Sequence, residues 1–167
     1  MGTKAGGEVT HGSQRGNGTP IPFALDRRAL ALKFRRRFKS TTRGIDRTVR
    51  DIMREARDCD CLPGDVPGIE IALREALANA VIHGNGNVED KRVLVRAYCS
   101  PTQGILVVVR DEGPGFDPAR VPDPRRKDRL ELPHGRGLFL MRELMDHVEH
   151  RKGGREVILV KRFPEAR

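Results

Sequence analysis

Two β-rich apolar runs, Lys91–Tyr98 and Ile105–Arg110, are joined by Ser100-Pro101-Thr102-Gln103-Gly104. A connection that short makes an antiparallel hairpin, because parallel strands need a crossover of a dozen residues or more. Upstream, Leu30, Leu32, Phe34 and Phe38 alternate with Lys and Arg as far as Lys39, which predicts a half-buried strand with a basic outer face. Ser40-Thr41-Thr42 then offers helix N-caps, and Ile45, Val49, Ile52, Met53 and Ala56 recur at helical spacing to about Asp58. A second helix is predicted from about Pro67 to His83, closed by Gly84-Asn85-Gly86-Asn87. A third, Gly137 to Asp146, places Leu138, Met141, Leu144 and Met145 inward, and strands near Val148–Arg151 and Arg155–Phe163 follow. The order β-α-α-β-β-loop-α-β-β predicts an α+β fold: a two-layer α/β sandwich with helices on one face of a mixed, mainly antiparallel sheet. The proline-rich, charged stretch 117–134 has no apolar period and is expected to be a long functional loop or lid. Residues 1–19 contain six glycines and little to bury, so they are expected to form a disordered tail ahead of one domain over 20–167.

The charge of +9 is unevenly placed. Residues 1–50 hold 12 Lys/Arg against 3 Asp/Glu, while the rest of the chain is balanced at 20 of each. Most of the excess lies between Arg27 and Arg50. A solvated strand face, which discourages sheet aggregation, outweighs a DNA-binding arm, with a docking surface for an acidic protein partner between the two, so no direct nucleic-acid partner is expected. No apolar run is long enough for a membrane span, and the first 20 residues lack the apolar stretch of a secretory signal. Aromatics make up only 4% of residues, with no Trp, so the core must be aliphatic. Three cysteines, including Cys59-x-Cys61, predict free thiols in a reduced, cytoplasmic protein.

Three segments carry polar residues with chemical potential. In Glu75-Ala-Leu-Ala-Asn79-Ala-Val-Ile-His83, residues four apart share one helix stripe beside the apolar face. Such a carboxylate can take a hydroxyl proton and such an amide oxygen can hold Mg²⁺, although an ordinary polar helix side gives the same pattern. In Asp111-Glu112-Gly113-Pro114-Gly115-Phe116 a strand ends in Asp-x-Gly-x-Gly, where backbone can approach a ligand and a carboxylate can accept from an exocyclic amine. A plain glycine turn also reads this way. In His134-Gly135-Arg136-Gly137-Leu138 a glycine-rich helix start offers N–H groups to phosphate, or is simply a helix start. The last segment is neither a Walker A loop nor a dinucleotide fingerprint.

In this order the three segments resemble the N, G1 and G2 boxes of the GHKL (Bergerat-fold) ATPase superfamily, and most closely its anti-sigma-factor serine/threonine kinases. The matching residues are Arg74–Gly84, Val109–Phe116 and Gly135–Met141, within a similarity that covers about Phe34 to Arg162. The resemblance implies a histidine-kinase-like ATPase fold holding ATP and Mg²⁺ under a mobile lid. It implies Glu75 as general base, Asn79 as Mg²⁺ ligand and Asp111 as reader of the adenine amine. Gly113 and Gly115 would make room for the base. Gly135, Arg136, Gly137 and Leu138 would bind phosphate, and His83 would support the site at the helix end. It further implies a small anti-anti-sigma (STAS-type) protein as phosphoryl acceptor, a sigma factor as sequestered partner, and a tendency to form homodimers. Pro133-His134 stands where members often carry Arg-Ser, so an arginine near the γ-phosphate would come from Arg136, Arg125, Arg126 or Arg129. Arg155 follows Gly154 where members often have Thr, and would contact phosphate in its place. The alternative to a kinase is a nucleotide-gated binding module with no sigma-factor partner.

Overall fold

The computed structural model describes residues 25–163 other than 27, 29, 63, 65, 118, 119 and 121–135. The expected tail, Gly135 and nearly all of the expected lid, with Arg125, Arg126, Arg129 and Pro133-His134, lie outside them.

The elements run β1 (Leu32–Lys39), α1 (Thr42–Asp58), α2 (Val66–Ala78), a π-helical turn (Asn79–Gly84), β2 (Arg92–Ser100), β3 (Gly104–Arg110), α3 (Arg136–Leu144), β4 (His147–Arg151) and β5 (Glu156–Arg162). The strands form one sheet in the order β1-β2-β3-β5-β4, and its four pairings are all antiparallel rather than mixed. The helices pack on one face, where Val93, Val95 and Ala97 of β2, Val107 and Val109 of β3 and Leu159 of β5 meet the apolar sides of α1 and α2. The two-layer sandwich follows from that one-sided burial.

Local chemistry explains the first two elements. In β1 the even positions turn inward, with Leu32 and Phe34 buried, while Lys33, Arg35, Arg37 and Lys39 stay exposed. Arg36 shares the inner parity and finds Asp51 of α1 at 2.7 Å, with its guanidinium 5.1 Å from the Phe34 ring centroid. That hydrogen bond to Arg36 holds the Asp51 carboxyl below its usual range. Thr41 caps α1 by accepting from the Gly44 N–H at 3.1 Å, and Ile45, Val49, Ile52, Met53 and Ala56 are buried as the spacing predicts. Burying one large aliphatic side chain contributes about 1.5–3 kcal/mol, against about 0–1 for an exposed ion pair such as Arg74–Asp46. Packing therefore holds α1 and α2 to the sheet.

Two expectations need correction. Cys61 and Cys99 are joined in a disulfide, with Cα atoms 6.1 Å apart, and only Cys59 is a free thiol. The chain reverses after α1 through Asp60 in the left-handed region (φ 54°), which drops Cys61 onto the inner face of β2 where Cys99 points. The second helix also does not remain α-helical to His83. From Asn79 it widens, and the Asn85 N–H donates to the Ala80 carbonyl at 2.8 Å, five residues back. No helix among the described residues is long and apolar enough to cross a membrane.

Candidate functional site

The widened turn after α2, the segment after β3, and the start of α3 surround a cavity of about 440 Å³ on the helical side of the sheet. Glu75, Asn79, His83, Asp111, Arg136, Gly137 and Leu138 line it, so seven residues from three separated segments meet in one place. Gly113 and Gly115 do not line it; Gly113 packs against Gly84 and Asp111, and Gly115 against Gly153 and Arg155. Glu75 and Asn79 are half-buried on the side facing α3, whereas His83 is exposed at the rim.

Asp111 and Glu112 are chemically similar neighbours with opposite duties. Asp111 continues the inner parity of Val107 and Val109 and enters the cavity, buried to 8% exposure. Burial raises its carboxyl above the usual range, partly offset by the Gly113 N–H, which donates to Oδ1 at 2.7 Å. Its own N–H donates to the Arg155 carbonyl at 3.0 Å, which fixes the strand end beside β5. Glu112 turns the other way: its carboxylate accepts from the Arg92 N–H at 2.9 Å and pairs with Arg37 at 3.1 Å. Asn85, 1% exposed, locks the two segments together by accepting from the Glu112 N–H at 2.8 Å and donating to the Arg92 carbonyl at 3.1 Å.

Glycine is required where these segments touch. A Cβ on Gly113 would collide with the Gly84 carbonyl oxygen, and one on Gly84 would stand 2.6 Å from Asp111 Oδ2. Gly115 adopts φ +83°, a conformation that disfavours any side chain, and its Cβ would strike the Gly153 carbonyl. At the opposite end a Cβ on Gly137 would lie 2.6 Å from Glu75 Oε2 and 3.4 Å from Asn79 Oδ1. Two hard oxygen donors thus converge on the first turn of α3. No group of three or more His, Cys, Asp or Glu side chains forms a metal cage among the described residues. That donor set suits Mg²⁺, which takes one or two protein ligands and completes its shell with phosphates and water.

Three contributors to the cavity lie outside the three motifs: His150, Gly154 and Val157. Arg155 also reaches it, with its Nε donating to the Lys152 carbonyl at 3.1 Å; its charge acts on Asp111, which places it near that carboxylate.

A one-sided antiparallel sandwich whose cavity is enclosed by an acid-amide helix, an Asp-x-Gly-x-Gly strand end and a glycine-started helix defines a nucleotide-binding ATPase domain. The chain belongs to the histidine kinase-like ATPase domain family, whose model matches residues 38–161. Within that family it is similar to the anti-sigma F factor of Heyndrickxia coagulans, 35% identical over 88 residues, which is 51% of this chain and 59% of that protein. The anti-sigma F factor of Clostridium beijerinckii is 31% identical over 104 residues, covering 59% of this chain and 72% of the relative. That of Clostridium perfringens is 32% identical over 105 residues, covering 59% and 74%.

Proposed function

We propose that the chain is an ATP-dependent serine/threonine protein kinase of the anti-sigma-factor type. It phosphorylates a small STAS-type protein and sequesters a sigma factor, working as a transcription regulator in a homodimer. The carrying observation is the approach of Glu75 Oε2 and Asn79 Oδ1 to Gly137. It supports a reading in which Glu75 is the proton acceptor and Asn79 the cation ligand, beside the helix start where phosphates would be bound.

Phosphoryl transfer asks a protein mainly for positioning and electrostatics. Asp111 would accept from the adenine amine at the closed end, with the Gly84–Gly113 contact setting how near the base can come. N–H groups at Gly137 and Leu138, with Gly135 before them, would hold phosphate oxygens, and Arg136 would add positive charge. Asn79 would hold Mg²⁺, which when bound offsets the charge of the triphosphate. Glu75 would take the proton of the acceptor hydroxyl. His83 would frame the rim. A carboxylate in this place suits a hydroxyl acceptor, which must lose a proton, better than an imidazole acceptor. The identity of the relatives as anti-sigma F factors supports the choice of partners.

The test is capture from native lysate on the immobilised protein, with and without Mg-ATP, followed by incubation of the captured proteins with γ-labelled ATP. A small protein labelled on Ser or Thr, together with a captured sigma factor, is the expected result. Nucleotide-dependent capture without any label would favour the nucleotide-gated binding module instead.

A further inference from the structure

β4 carries a histidine that none of the three motifs explains. His150 lies opposite Val157 in the β4–β5 register, and Val157 lies opposite Val109 in the β3–β5 register. All three line the same cavity as Asp111. With strands spaced roughly 4.8 Å apart, this row forms a floor roughly 10 Å wide, enough for a flat ring system to lie across. Phe116, from the glycine segment after Asp111, meets His150 edge-on, with centroids 5.4 Å apart and planes at 74°. Backbone closes in behind it, because a Cβ on Gly154 would stand 2.8 Å from the Phe116 nitrogen. Phe116 is nonetheless 38% exposed, a large apolar ring open on the cavity side.

We propose that His150, braced by Phe116, is a ligand-contact residue whose ring packs against the purine base read by Asp111. The assignment rests on the nucleotide site proposed above and extends it to β4. Burial, followed by the charge of Arg142, pushes the His150 pKa down to about 4. The ring is therefore neutral at physiological pH, and a base can cover it without desolvating an ion. Glu75 and Asn79 serve the phosphate end of the cavity, so His150 concerns the base alone.

The whole protein, with ¹⁵N-labelled histidine rings, is titrated in turn with ATP, adenosine and sodium tripolyphosphate. The His150 ring signals should move with ATP and adenosine and stay in place with tripolyphosphate. His150→Ala should weaken ATP and adenosine binding about five- to tenfold, while His150→Phe, which retains a flat ring, should stay within about threefold of the wild type. If wild-type protein binds ATP while the His150 signals do not move, or if His150→Ala binds adenosine unchanged, the base contact is refuted and the nucleotide site stands. If the wild type binds none of the three probes, the nucleotide site itself is wrong.

Discussion

Glu75 Oε2 stands 2.6 Å from where a Cβ on Gly137 would be, so any side chain at 137 must displace that carboxylate. Gly137→Ala should leave the melting temperature unchanged or raise it, since Ala is favoured over Gly in helices by about 1 kcal/mol. The added methyl pushes the Glu75 carboxylate aside. A displacement of that size should lower phosphoryl transfer about 10²-fold. Thermal melting and a transfer assay on the same preparation check both halves, and unchanged transfer would contradict the contact.

Asp111→Asn should cost ATP affinity. Asn retains the size of the side chain but replaces a charged acceptor, and a charge-assisted hydrogen bond is worth about 1.5–3 kcal/mol, or about one to two decades in Kd. Calorimetric titration of wild type and variant with ATP and GTP measures this. Equal binding of ATP and GTP by the wild type would remove Asp111 as the base reader.

Much of the fold is legible in residue order, for reasons that particular positions make plain. Thr41 and the five-residue apolar stripe of α1 mark that helix, because capping and burial are both local. Glu75, Asn79, Asp111 and Gly137 could be picked out because their motifs fall at a helix stripe, a strand end and a helix start. The π-turn after Asn79 leaves no trace, since a five-back hydrogen bond at Ala80 demands no particular residue type. The Cys61–Cys99 pair is hidden by a separation of 38 residues, which spacing cannot join. His150 was readable in principle: it shares the parity of inward-facing Val148, but β4 is too short and too polar for that parity to stand out.

Stability should fall in mild acid because of His150. The unfolded imidazole titrates near 6.5 and the folded one at about 4. Above pH 6.5 both states are neutral. Between pH 6.5 and 4 only the unfolded chain gains the proton, so stability drops as pH falls through that window, by up to about 3 kcal/mol. Asp51, held low by its Arg36 hydrogen bond, and Glu112, held low by the Arg92 N–H, also lose stability in acid, and the same wild-type-minus-variant subtraction removes them. In urea unfolding from pH 7.5 to 4.5, the stability of wild type minus that of His150→Phe should fall as pH falls. A difference that does not change with pH would contradict the assignment.

Reduction should loosen the sandwich. The Cys61–Cys99 bond closes a loop of 38 residues between the end of α1 and β2, and both partners are fully buried. A loop of that length stabilises by about 3–4 kcal/mol in the chain-entropy account. Urea midpoints of intact and reduced, alkylated protein measure the loss. Identical midpoints would mean that the cross-link contributes nothing to the fold.

The division of labour along α2 is tested by comparing Glu75→Gln with Asn79→Ala, measuring both Mg-ATP affinity and transfer to the captured partner. Gln retains volume and helix propensity but cannot accept a proton, so transfer should fall by about 10²–10⁴-fold with ATP affinity nearly intact. Asn79→Ala removes a cation ligand and should weaken Mg-ATP binding itself. Glu75→Gln that transfers phosphate at the wild-type rate, or that loses ATP as badly as Asn79→Ala, would contradict Glu75 as the base.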